Sequence, residues 1–157
     1  MTVQIQEIAE AQTAETWPVM QQLRPHLDLA SYVDAVSRMR RTDGFRLVAG
    51  RIEGEISGVA GIRVIEMLYC GRILVVDDLI TDADARSGGV GKAMLTWLDA
   101  EAARLSCVQV HLDSGLHRID AHRFYEREGF QKTAWHFVKT VSDRSPEPKD
   151  LISHNIS

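Results

Sequence analysis

RILVVDDLITDADARSGGVGKAMLTWLDAEAARL, residues 72–105, decides the fold. Ile73, Leu74, Val75 and Val76, followed by Leu79 and Ile80, read as a strand covered on both faces. Further on, Gly91, Leu95, Leu98, Ala102 and Leu105 fall at offsets 0, 4, 7, 11 and 14, one apolar stripe of an amphipathic helix. Between them runs the glycine-rich loop Arg86-Ser87-Gly88-Gly89-Val90-Gly91-Lys92. Backbone N–H groups aimed out of a helix start, with the helix dipole behind them, form an anion site suited to phosphate or pyrophosphate. Arg86 and Lys92 add positive charge.

Spacing separates three phosphate-loop readings. A P-loop ending at Gly91-Lys92 would have Arg86 in place of its first glycine and Ala93 in place of its hydroxyl residue, so it fails twice. A dinucleotide fingerprint starting at Gly89 finds Met94 where a third small residue belongs, and six residues separate Thr81 from Gly88. The pattern Arg/Gln-x-x-Gly-x-Gly/Ala is met in full by Arg86, Gly89 and Gly91. It resembles the acyl-CoA pyrophosphate loop of the GNAT superfamily of N-acetyltransferases. A second segment, Ala121-His122-Arg123-Phe124-Tyr125-Glu126-Arg127-Glu128-Gly129-Phe130, is similar to that family's Ala-x-x-Phe-Tyr-x-x-x-Gly-Phe signature. The resemblance covers residues 45–140 well and the first 44 residues by helix order.

The remaining elements follow the same order. Val3, Ile5 and Ile8 suggest a first strand; Thr13 or Thr16 caps a helix with Pro18 in its first turn. Leu29, Tyr32, Val33, Val36 and Met39 form the stripe of a second helix, closed by Arg38, Arg40 and Arg41 before Asp43-Gly44. Residues 45–50 and 58–64 form a hairpin, and residues 108–113 alternate as a half-buried strand. A helix spans residues 120–127, with Gly129 as its left-handed terminator, and a last strand is expected at 134–140. Residues 142–157 are polar and read as a loose tail of a single domain, residues 1–157. The fold class is α/β (α+β): a mixed, mostly antiparallel sheet flanked by helices, with acyl-CoA, by resemblance, between splayed central strands.

Composition bounds the function. The 157 residues carry a net charge of -4, which argues against a general nucleic-acid partner. No apolar run approaches a membrane span, and the N-terminus lacks signal-peptide features, so a cytoplasmic setting is expected. Cys70 and Cys107 form no disulfide framework, and the six histidines show no metal-ligand spacing. Trp17, Trp97 and Trp135, scattered singly, read as core or interface residues, and the arginine cluster as a solvated helix end.

The resemblance implies acetyl transfer from acetyl-CoA to a primary amine, with a small molecule or a peptide as acceptor. It implies that Leu79, Ile80 and Thr81 pair with pantetheine and that Ser87, Gly88, Gly89, Val90, Gly91 and Lys92 hold the pyrophosphate, with Arg86 near the nucleotide. Tyr125 is the implied general acid. A phenol with pKa near ~10 can protonate a thiolate of pKa near ~8.5. Asp77 and Asp78 are candidate bases; strict alternation would point them to opposite faces. His111 is a third candidate. The position of the glutamate base in histone-modifying members falls near Val75, and Arg118 stands where members often carry a cofactor-binding asparagine. Alternatives are a non-catalytic CoA-binding module and a transferase of longer acyl groups. Members are often dimers, and a homodimer is compatible with the sequence.

Overall fold

The computed structural model describes residues 2–144. Strand β1 (Val3–Ile8) leads through a 3₁₀ segment, Glu10–Thr16, into helix α1 (Trp17–Leu23), which has Pro18 in its first turn. Helix α2 (Leu29–Asp43) begins at a reciprocal cap: the Asp28 carboxylate accepts from the Ser31 N–H, and Ser31 Oγ accepts from the Asp28 N–H. Strands β2 (Arg46–Ile52) and β3 (Glu55–Met67) form a hairpin. Its two-residue turn, Glu53-Gly54, has positive φ at both positions, the geometry that matches the twist of the paired strands. Strand β4 (Gly71–Thr81) returns antiparallel to β3. A 3₁₀ segment, Ala83–Gly88, precedes helix α3 (Val90–Arg104), strand β5 (Gln109–Leu112) and helix α4 (Ile119–Arg127).

The sheet order is β1-β2-β3-β4-β5, antiparallel except for the parallel β4–β5 pair. Val48, Ala60, Ile62, Leu74, Val76 and Leu79 pack on one face against α3 and α4. Leu47, Ala49, Val59 and Ile80 pack on the other against α1 and α2. The expected α3 stripe is buried at Gly91, Leu95, Leu98 and Ala102, with Val90 and Met94 added to it. A Cβ at Gly58 would lie 2.7 Å from both Val90 and Met94, so glycine there lets the start of α3 seat on the sheet.

Three expectations are corrected. Residues 134–140 form no strand: Trp135 is 71% exposed and Phe137 91%. Aromatic and β-branched composition is a preference for a half-buried pleated surface, and among the described residues no such surface covers this segment. Just before it Lys132 pairs with Glu126 at 3.0 Å, and within it His136 Nδ1 lies 3.5 Å from Asp113 Oδ2. Trp135 is therefore no core residue, whereas Trp17 packs on Tyr32 and Trp97 on the α3-side core. Arg40, expected as part of a solvated helix end, instead donates to the Ile8 carbonyl at 2.8 Å. Most of the expected tail, residues 145–157, lies outside the described residues.

Candidate active site

Strand β5 pairs with β4 only from Ile73 to Val76. Among the described residues, no strand pairs with that edge of β4 over residues 77–81. The unpaired edge is a template for an extended ligand that can exchange backbone hydrogen bonds with it. Leu79, Ile80 and Thr81 occupy it, all three buried.

The glycine loop lies at the end of this edge. Asp82 donates its N–H to the Ser57 carbonyl, and its side chain accepts from the Asp84 N–H. The Ala83 N–H donates to Gln22 Oε1. The backbones of Arg86 and Ser87 lie in the 3₁₀ segment, and Gly88 closes it against Ile52. Gly89 caps α3 in the left-handed region, φ +74°, and as glycine brings no side chain of its own to the helix start. A Cβ at Gly89 would meet nothing within 4 Å, so conformation, not crowding by the protein, selects glycine there. Buried Val90 and Gly91 fix the first turn, and Lys92 is exposed beside it.

A β-bulge reverses the expected geometry of the acidic pair. Gly61 pairs with Asp78 and Ile62 with Val76, so Asp77 is the extra residue on β4. The bulge breaks alternation, and both carboxylates serve the α1–α2 face. Asp77 receives two hydrogen bonds from Arg63, at 2.6 and 2.8 Å. Asp78 Oδ1 is held by Arg24 at 2.8–2.9 Å, and Arg24 also donates to the Asp77 carbonyl at 3.2 Å. Burial pushes the Asp78 carboxyl above its ordinary value, outweighing the lowering effect of Arg24. Arg24, Arg63 and Gly61 carried no signal in the sequence. A Cβ at Gly61 would come within 2.5 Å of Asp78 Oδ2 and the Phe45 ring.

Tyr125 lies on the opposite face. It is buried among the α3-side residues and flanked edge-on by Phe124 and Phe130. Its hydroxyl has no hydrogen-bond partner among the described residues, and burial pushes its pKa up, keeping the phenol protonated. Arg118 is close enough to oppose that shift. Thr81 Oγ1 at the end of β4 and Ser114 Oγ just past β5 are likewise buried without partners. Such groups are rare in proteins and call for an explanation. A bound ligand bearing amide and carbonyl groups would supply one, and a pantetheine arm is such a ligand.

His111 bonds Gln109 Oε1 at 2.7 Å and faces the Tyr69 ring. Among the described residues, no cluster of three or more His, Cys, Asp or Glu could hold a metal, and no helix is long and apolar enough to cross a membrane.

The sheet's one parallel pair thus ends at Val76, and beyond it stand a free stretch of β4, a glycine loop opening a helix and a buried tyrosine. The family model described as "Acetyltransferase (GNAT) family" matches residues 4–130. The chain belongs to the GNAT acetyltransferase family and is an acyltransferase. It is 33% identical over 129 residues to the uncharacterized N-acetyltransferase YhdJ of Bacillus subtilis (strain 168), covering 82% of this chain and 91% of that one. It is 27% identical over 89 residues to the aminoalkylphosphonate N-acetyltransferase of Salmonella typhimurium (strain LT2), covering 56% and 58%. The structure of AAC(6')-Iy in complex with the bisubstrate analog CoA-S-monomethyl-acetylneamine shares the fold at TM-score 0.79 and 12% identity, covering 90% and 99%.

Proposed function

We propose that this protein transfers an acetyl group from acetyl-CoA to a primary amine by direct attack on the thioester. The observation that carries this reading is the two-sided arrangement at residues 77–81 of β4: two carboxylates on one face, an unpartnered tyrosine hydroxyl on the other, and an open strand edge between them.

Acetyl-CoA supplies an acyl group already activated as a thioester. The chain binds, orients and moves protons. The free edge of β4 at Leu79, Ile80 and Thr81 receives the cofactor's amides as a further strand would. The N–H groups of residues 87–92, with the α3 dipole behind them, hold the pyrophosphate. Asp78 is the preferred base. Asp77 is doubly committed to Arg63, and His111 is turned to Gln109 and Tyr69, whereas the raised pKa of Asp78 favours accepting a proton from an ammonium. Tyr125, kept neutral by burial, acts on the leaving sulfur as a hydrogen-bond donor.

Calorimetric titration with acetyl-CoA, with ATP and NAD as controls, tests the reading. Selective binding of acetyl-CoA is expected. Binding of ATP or NAD in its place would return the loop to a general phosphate-binding role.

A further inference from the structure

On the α1–α2 face a cavity of about 190 Å³ opens above Asp78. Its walls are Met20, Leu27, Val36, Met39 and Phe45, and the ring of Tyr32 closes it. The Tyr32 hydroxyl is tied to Thr16 Oγ1 at 2.7 Å, and Trp17 packs on the ring at 5.1 Å, so this wall is fixed and presents carbon. The other polar groups in the lining are Arg24 and His26.

We infer that this cavity is the acceptor subsite and that its substrate is a monoamine on an apolar body about the size of a phenyl ring or a short branched alkyl chain. The inference rests on the acetyltransferase reading and deepens it. Three observations carry it. First, the volume is on the scale of the roughly 150 Å³ apolar cavity that accepts benzene. A disaccharide-sized acceptor would have to leave most of its body outside. Second, the lining offers methionine, leucine, valine and phenylalanine carbon, against which sugar hydroxyls would be buried without partners. Third, Asp78 is the one acid among the described residues of the lining, and the Arg24 charge is already directed to Asp78 and to the Asp77 carbonyl. A single ammonium finds a carboxylate there. A second ammonium would meet Arg24 with no further acid to balance it, and a phosphonate would have to draw Arg24 away from Asp78.

The test is a competition among acceptors in the presence of acetyl-CoA, read as thiol release. The panel holds 2-phenylethylamine, isoamylamine, an aminoalkylphosphonate, an aminoglycoside and a peptide with a free N-terminus. The two apolar monoamines are expected to have kcat/KM at least about tenfold above the rest, the scale on which an apolar pocket discriminates. Ala35, on the cavity wall and only partly buried, gives the first variant. Ala35→Leu should raise KM for 2-phenylethylamine about tenfold or more, and Met39→Ala should shift preference toward a bulkier amine. Both variants should bind acetyl-CoA like the parent. Preference for the phosphonate, the aminoglycoside or the peptide, or a KM unmoved by both variants, overturns the subsite assignment while acetyl transfer stands. Failure of the parent protein to bind acetyl-CoA overturns both.

Discussion

Two buried carboxylates, one on each face of the sheet, are paired with arginine, yet their pKa values are displaced in opposite directions. On the α3 face, Glu101 accepts from Arg46 and from Arg104, and Arg46 is shared in turn with Glu7 on β1. The Arg104 hydrogen bonds, then those of Arg46, hold the Glu101 carboxyl down from 4.5 to about 2. On the α1–α2 face, Asp78 has Arg24 beside it, yet desolvation wins and its carboxyl is pushed up. Glu101 is committed to its charge and clasps β1, β2 and α3 together. Asp78 is poised to exchange a proton beside a cavity. A buried ion pair thus serves stability or chemistry according to how completely its hydrogen bonds repay desolvation.

The contrast can be broken most severely where the α3 face meets ligand. Gly89→Asp forces a side chain into the left-handed region at φ +74° and places negative charge at the anion site of the helix start. Calorimetry should show a loss of acetyl-CoA affinity of about 100-fold or more, with circular dichroism unchanged. Unchanged affinity would remove the loop from the cofactor site.

Tyr125→Phe comes next, and it separates chemistry from packing on that same face. Because the buried hydroxyl has no partner, its removal should not lower stability and should raise it by up to about 1 kcal/mol. kcat should fall about 10²-fold, the lower range for a positioned acid, while acetyl-CoA affinity stays within about threefold. A normal kcat would mean that water protonates the leaving thiolate.

The α3 side was legible because its information is in the backbone. The apolar stripe through Leu95 and Leu98 shows in its spacing, while the glycines at 89 and 91 and the Phe124-Tyr125 pair stand out through contiguous motifs that resemble the family's. The α1–α2 side was not, because its site is assembled from single residues far apart in the chain. Arg24 meets Asp78 across 54 positions, and nothing around Arg24 marks it. The bulge at Asp77 was equally silent, since one inserted residue changes facing without changing composition. Residues 134–140 failed for the converse reason: strong strand propensity with no partner surface among the described residues.

Asp78 supplies the third prediction. With its pKa raised above the ordinary 3.8, it must lose its proton before it can accept one from the substrate, so kcat/KM should rise with pH through a limb displaced above the usual carboxylate range. Asp78→Asn should erase that limb and lower kcat/KM about 10²-fold at neutral pH, measured on a saturating acetyl-CoA background. A limb that survives the substitution would assign the base to another group and reduce Asp78 to a charge that positions the amine.

Glu101→Gln should produce the smallest catalytic effect, and its value is that it moves stability alone. Its carboxyl lies on α3 away from the β4 edge, so kcat/KM should remain within about twofold. Losing charge-assisted bonds to Arg46 and Arg104 should cost about 2–3 kcal/mol, a drop of about 5–10 °C in Tm. In the parent protein this contribution belongs to a carboxyl whose folded pKa is lower than its unfolded one. It is present in full above pH 4.5 and is lost as pH falls from there through about 2. Parent and variant should therefore converge in Tm across that acid window and separate above it. If they stay parallel, Glu101 is holding the fold by packing, and the opposition between a committed and a poised carboxylate would rest on Asp78 alone.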